Sequence, residues 1–408
     1  ESAQDENAGF LDVDGDGDID LFVVSGSYNA MVSDMQDRLY LNNGQGIFTK
    51  STGAIPTENY CGSVVVPMDI EKDGDIDLFV GNRMVPGKYP VSQASRILIN
   101  NGKGIFSDQT ISICPALDQI GMVTDALTAD LNKDGLQDLI IVGEWMPVKI
   151  FISNGTTLED KTSSWISWEN NGWWSKIQGA DYDDDGDVDL VIGNAGDNNQ
   201  YNVSDPYPVT LVYKDFDNNG QIDPFLCYFI DGISYPYASR DEALGQVGFL
   251  RNRFLDYNSY ANVTLTDLFS PQELSGSKTL KATNLKTIFL ENKGTSFYQR
   301  ALPVQAQFAP VFAIENADVD KDGDPDIIMA GNETKVRVRL GRSDANKGFV
   351  FINDGKANFS YLPQSKAGLN LKEDTRELLM LNVLGQDCLI VGQTGRPILT
   401  YKLNQVTQ

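Results

Sequence analysis

The sequence contains no histidine. That removes the commonest general base and the usual zinc ligand. Ser-His-Asp, Cys-His and histidine-dependent metal hydrolysis are therefore excluded. No run of eighteen apolar residues occurs either, so no membrane span is expected. Basic residues are scarce: 32 Lys and Arg stand against 57 Asp and Glu, a formal charge of -25. Nucleic acid is thus disfavoured as the main partner, because phosphate contacts need clustered cations. Cysteine is sparse, with four residues at 61, 114, 227 and 388 and no metal-site spacing. Buried single thiols are the plain reading. A Cys61–Cys114 disulfide is the alternative in an extracellular setting. The chain opens Glu1-Ser2-Ala3 without Met, which reads as a mature or trimmed product.

What the sequence has in quantity is aspartate, and it is not scattered. Six segments share the pattern D-x-[DNE]-x-[DN]-G-x-x-D, and they hold 27 of the 57 acidic residues. Side by side, such carboxylates repel, so a cation is needed among them. Positions 1, 3, 5 and 9 offer oxygen side chains, position 6 is Gly for a sharp turn, and the carbonyl of position 7 adds a ligand. This is the front half of an EF-hand calcium loop. The expected ligand sets are Asp12, Asp14, Asp16, Asp18 and Asp20; Asp69, Glu71, Asp73, Asp75 and Asp77; Asp130, Asn132, Asp134, Leu136 and Asp138. They continue with Asp181, Asp183, Asp185, Asp187 and Asp189; Asp215, Asp217, Asn219, Gln221 and Asp223; and Asp318, Asp320, Asp322, Asp324 and Asp326. About six structural Ca²⁺ sites are expected, the third and fifth weaker because they carry less charge.

An EF-hand loop runs into a helix. Here each loop runs into a short β-rich segment instead, such as IDLFVVSG, IDLFVGN or VDLVIGN. Hairpin signals follow in LYLNNGQGIF, ILINNGKGIF and FVFINDGKANF, where Asn-Gly or Asp-Gly parts two apolar runs. Each unit reads strand A, acidic loop, strand B, longer loop, strand C, tight turn, strand D. Four antiparallel strands repeated in this way make the blades of a β-propeller. The units resemble FG-GAP/VCBS repeats, the blades of integrin-α-type propellers and of many exported bacterial proteins. Stretches such as GWWSKIQGADYDDDGDVDLVIGNAGDN resemble bacterial VCBS-repeat proteins of the ASPIC/UnbV-associated kind. The resemblance implies an all-β, seven-bladed, calcium-bearing propeller at the cell surface or outside the cell, and no particular reaction. A seventh unit is expected over 377–408 without calcium, because only Asp387 survives of its acidic loop. The spacing between the fourth and fifth loops leaves little room for the outer strands of blade four.

The chain is read as one propeller domain over 1–408, interrupted at 231–286. There the period changes from strand to helix, with a capping box at Ser239–Glu242 and a second helix start at Ser270-Pro271. Strand direction puts the acidic loops and the Asn-Gly turns on one side, and the long B–C loops and the insertion on the other. Function tends to sit on such loops. Trp145, Trp173, Trp174, Tyr235, Tyr237 and Arg240 are the candidate ligand-binding residues on that side, with Tyr89, Arg83, Arg337, Arg339 and Arg342 nearby. Aromatic faces and planar donors suit a glycan or a partner's carboxylate. Three functions remain open: a non-catalytic binding or scaffold protein whose partner is a cell-surface or outer-membrane protein; a calcium-dependent glycan-binding module; or a polysaccharide lyase, whose chemistry needs no histidine.

Overall fold

The structure is a computed structural model that describes residues 4–28, 35–337, 339 and 341–403. The long loops after the first and sixth acidic-loop strands contain residues 29–34 and 338 and 340, which lie outside the described residues, as do 404–408 of the expected seventh unit. The fold is all-β: seven antiparallel sheets with a few short helices, consistent with a β-propeller.

Six sheets follow one another through their first strands. The first sheet is Asp5–Leu11, Asp20–Ser25, Arg38–Asn42 and Phe48–Ser51. The second is Gly62–Met68, Asp77–Asn82, Arg96–Asn100 and Phe106–Asp108. The third is Met122–Ala129, Asp138–Met146, Lys149–Ser153 and Leu158–Asp160, with Gly172–Trp173 added at the end of its second strand. The fourth pairs Lys176–Ala180 and Asp189–Gly193 with the distant Ile288–Asn292 and Phe297–Arg300. The fifth is Val311–Ala317, Asp326–Gly331, Phe349–Ile352 and Ser360–Leu362. The sixth has three strands, Thr375–Val383, Gln386–Gln393 and Leu399–Lys402.

The seventh sheet is not in this series. The fifth acidic unit forms its own sheet, ordered Ile233–Pro236, Asp223–Ile230, Val209–Lys214, Lys278–Ala282. It lies between the second and third strands of the fourth sheet. Among the described residues seven sheets form, six in series and one inserted within 194–287, where seven blades in series and an insertion at 231–286 were expected. The short spacing after the fourth loop has a simple cause: that sheet's outer strands come after the insertion. The helical part does contain the expected capping box at Ser239–Glu242, and the expected helix start at Ser270-Pro271 carries a second box with Glu273. Its first helix is Arg240–Gln246, and a tighter turn over Gly248–Asn252 takes Leu250 into the same core. That core, with Phe216, Phe225 and Phe269, caps the inserted sheet.

Apolar clusters fill each junction between successive sheets. Phe22 and Leu39 of the first sheet meet Leu78 and Leu98 of the second. Val64 and Phe79 of the second meet Leu139 and Ile141 of the third. Similar clusters join the third to the fourth, the fourth to the fifth and the fifth to the sixth. The residue four before each acidic loop faces the preceding sheet: Val65, Ala126, Ile177 and Ile314 are only 2–8% exposed. Its counterpart in the first sheet, Ala8, is exposed, and Phe10 beside it is 69% exposed. On the sixth sheet Leu379, Leu381 and Val383 are 44–48% exposed. The two terminal sheets therefore keep apolar faces open to solvent among the described residues. All four cysteines are buried free thiols, so Cys61 and Cys114 are not bridged.

Replacing Leu139, which is fully buried, by Ala should cost about 2–5 kcal/mol, the transfer and cavity terms together. Leu381→Ala should change stability by about 0.5 kcal/mol or less. Urea unfolding in calcium would measure both. A large loss at Leu381 would mean that this face is covered in solution.

Candidate functional site

The acidic loops share one hydrogen-bond plan. The position-1 carboxylate accepts from the loop's own backbone: Asp130 from Asp134 and Gly135, Asp181 from Asp185 and Gly186, Asp215 from Asn219 and Gly220, at 2.8–3.2 Å. Position 5 accepts from the N–H of position 7 in all six loops, at 2.8–3.0 Å. These bonds curl the chain so tightly that position 6 sits at φ between +79° and +102°, which only Gly adopts without strain. The adjoining hairpin turns lie on the same side. A Cβ on Gly102 would strike the Asp75 carboxylate, and one on Gly355 that of Asp324.

Position 9 behaves differently from the rest. Asp20, Asp77, Asp138, Asp189, Asp223 and Asp326 are 0–3% exposed. One oxygen of each accepts the N–H of position 2 in its loop, at 2.7–3.2 Å. In five of them the other oxygen accepts the N–H that ends the third strand, from Asn42, Asn100, Ser153, Asn292 or Asn353, at 2.7–2.9 Å. Burial lifts the carboxyls of Asp77, Asp138, Asp223 and Asp326 to about 6 and that of Asp189 to about 7. Neighbouring loop carboxylates push the same way, and the backbone donors pull against them.

Positions 1, 3 and 9 converge in three loops. Ligand oxygens of Asp12, Asp14 and Asp20 lie within 4.8 Å of one another, as do those of Asp215, Asp217 and Asp223 and those of Asp318, Asp320 and Asp326. Asp181, Asp183 and Asp185 form a fourth such group. In these same four loops buried carboxylate oxygens have no hydrogen-bond partner: Oδ1 of Asp14, Asp183, Asp217, Asp318 and Asp320. A buried oxygen without a donor is costly. An all-oxygen donor set in tight loops fits a hard divalent cation of the calcium type. The second and third loops form no comparable carboxylate group among the described residues. Glu71 is exposed, and Asn132 turns its amide to Asp134 at 2.9 Å. The fifth loop, expected to be weak, is among the converged ones.

Position 4 carries charge from one loop to the next. Lys133 reaches Asp187 of the following sheet at 2.7 Å, and Lys321 reaches Asp387 at 3.0 Å. At the next junction the order fails: position 4 is Asp184, and burial, then Asp322 of the same loop, then Asp184 raise the Asp324 carboxyl above its ordinary range.

On the opposite side the expected ligand residues part company. Trp145, Trp173 and Tyr237 join one aromatic cluster with Tyr201 and Tyr228, their ring centroids 5.1–6.0 Å apart and mostly edge-on. Trp145 takes φ +62°, a strained conformation for a bulky residue, and donates its indole N–H to Tyr89 at 2.8 Å. The indole N–H of Trp173 and the hydroxyl of Tyr237 are buried without partners. Arg339 lies 4.3 Å from the Tyr237 ring centroid. Tyr235 sits opposite Tyr228 in the inserted sheet and takes no part in the ring contacts. Trp174 is fully buried, donating to Asn170 at 3.1 Å, and does not reach a ligand surface. Arg240 spends its guanidinium on the carbonyls of Phe254 and Leu255 and on Asp241, so it fastens the insertion. Arg83 pairs with Glu144, and Arg337 and Arg339 pair with Glu242. Sequence reasoning missed Tyr201 and Tyr228. No local motif marks them, since only the inserted sheet brings them to Trp173.

With this geometry in hand, comparison with known proteins identifies the repeat. The FG-GAP-like repeat matches residues 12–80 and 130–192, which contain the first four acidic loops, so these two stretches carry FG-GAP-like repeats. No curated protein matches the chain. Among solved structures it is similar to an Agrocybe aegerita lectin that recognises non-reducing terminal N-acetylglucosamine, at 14% identity and TM-score 0.36, over 99% of this chain and 87% of that one. It is similar to the V. cholerae biofilm matrix protein Bap1, at 10% identity and TM-score 0.37, over 97% and 76%. The third is BBS1N in complex with ARL6DN, at 10% identity and TM-score 0.36, over 99% and 93%. Scores this low add nothing to the argument about fold or site.

Two outcomes are expected. The raised position-9 carboxyls hold protons more firmly in the folded chain than in the unfolded one. Without calcium their contribution is fully present below about pH 4 and is lost as pH rises through 6 to 7. Calcium needs those groups ionised, so the rise in Tm on adding it should be largest above pH 7 and shrink toward pH 5. Melts with chelator and with calcium at several pH values would decide; a calcium shift independent of pH would sink the assignment. Asp184→Lys should complete the Lys-to-Asp order and raise the Tm slightly, as exposed pairs do. A lower Tm for that variant would show that Asp184 serves its loop in another way.

Proposed function

We propose that this chain is an exported, calcium-stabilised propeller that acts as a non-catalytic binding protein, its ligand or partner taken on the side opposite the acidic loops. The observation that carries the reading is the set of buried carboxylate oxygens left without donors in four loops. A cation held there would be enclosed by its own loop and tied to the frame through position 9. That leaves it a structural part with no open coordination position for substrate. The residues that would hold it are the position 1, 3, 5 and 9 side chains of each loop, and its part is to cancel their repulsion. Extracellular calcium suits sites of the roughly 10⁻⁴–10⁻³ M class found in extracellular modules, which supports the exported setting.

The strained Trp145 and the unpartnered Trp173 and Tyr237 groups support the long-loop side as the functional one. Glycan and protein partners both fit such a surface. The test is retention of calcium-loaded protein on immobilised polysaccharides and on outer-membrane protein fractions, with new chain ends assayed in parallel. Retention without cleavage is expected. It should weaken at least tenfold in Tyr237→Ala and persist in Asp184→Lys, which alters only the acidic side. New chain ends would make the protein an enzyme and overturn the reading.

A further inference from the structure

A groove with a cavity of about 490 Å³ lies at the outer part of the third sheet, lined by residues between Pro147 and Asn171. Its size falls in the range of small-molecule sites. It opens beside the short connection after Met146 and the loop that leads to Gly172–Trp173, on the long-loop side. None of its residues was among the candidates read from the sequence.

The lining is polar around one large ring. Trp168 is half-buried, and its indole N–H, shielded from solvent, finds no acceptor in the protein. Tryptophan can only donate there, so the missing partner is an acceptor oxygen. Lys149 pairs with Asp160 at 2.9 Å, and Glu169 pairs with Lys281 of the inserted sheet. The charges of these two pairs cancel, so the groove has no preference for an anion or a cation. Asn171 holds the inserted sheet with its carbonyl, which accepts from Thr283 and Asn284 at 2.8 and 3.0 Å. Its side-chain amide stays available at the cavity wall.

An aromatic platform, an indole donor, an amide and balanced ion pairs match a ligand with hydroxyls on its rim, an apolar face and no net charge. We propose that the Trp168 groove binds a neutral saccharide, with the sugar face on the indole and its hydroxyls on Asn171, Asp160 and Glu169. The proposal rests on the binding-protein reading and gives it a ligand class and a place. Two of the groove's lining residues, Glu169 and Asn171, are also tied to the insertion, through Lys281 and through Thr283 and Asn284.

The test is titration of the calcium-loaded chain with galactose, N-acetylglucosamine and maltotriose, followed by calorimetry and tryptophan fluorescence. Glucuronate and glucosamine serve as charged counterparts. At least one neutral sugar should bind, and at least tenfold more tightly than either charged one. Trp168→Phe keeps a ring but removes the donor, and Asn171→Ala removes the amide. Each should weaken binding at least fivefold with the calcium-dependent Tm unchanged. No binding by any neutral sugar would overturn the proposal, and so would preference for a charged one. Sugar binding that Tyr237→Ala abolishes and Trp168→Phe leaves intact would also overturn it, while the broader binding function would stand.

Discussion

The fold hangs on a buried aspartate. Position 9 of each acidic loop ties its own loop to the strand that follows it, and in five sheets also to the third strand. The asparagine at the end of that third strand then reaches across. Asn100 donates to Val13 of the preceding sheet, Asn292 to Leu131 and Asn353 to Tyr182, at 2.8–3.1 Å. One carboxylate thereby fixes the register within a sheet, and its asparagine fixes the spacing between sheets. Bonds of this kind are worth more than neutral ones and are expensive to leave unmade. The apolar clusters supply the bulk of the cohesion, but they are not directional. The Asp-Asn relay is.

That constraint sets the acidic loops apart from the rest of the surface. A carboxylate kept dry and charged needs compensation, and the loops gather it from backbone N–H groups and, at two junctions, from a lysine on the neighbouring loop; four of them also have the oxygen groups to hold a cation. The opposite side is free of this requirement. It carries long connections, an inserted sheet and aromatic residues in a strained arrangement. The division of labour follows from strand direction: A–B and C–D turns are forced onto one side and B–C and D–A connections onto the other.

Much of this was legible in the sequence. The six loops stood out because each needs oxygen at fixed positions and Gly at position 6, and the strands stood out because apolar runs followed each loop. The capping box and the second helix start of the insertion were readable because they are local. What was not readable was long-range. ILIN and FVFIN read as hairpin starts and are so, but that Asn100 and Asn353 also link neighbouring sheets was not visible. Trp174 and Arg240 looked like surface residues but are consumed by Asn170 and by the Phe254 and Leu255 carbonyls. The fifth loop matched the pattern of a blade in series. Nothing local reveals that the third strand of the preceding sheet lies beyond it.

That detour has a consequence for how the chain comes together during synthesis. The inner half of the fourth sheet emerges first, and its outer half, starting at Ile288, follows only after residues 194–287. A loose loop of that length would delay closure and leave a sheet edge exposed. The inserted unit avoids this by folding back on itself. Val209–Lys214 pairs with Lys278–Ala282, and Gly196 bonds Leu285 at 2.7 Å, so the two ends of the detour are brought side by side. The inserted sheet has a core of its own, which lets it condense as a local unit and deliver the missing strands to the edge that awaits them. A lesion in that core, at Phe225 or Phe269, would then be felt first as a failure to complete a sheet to which neither residue belongs.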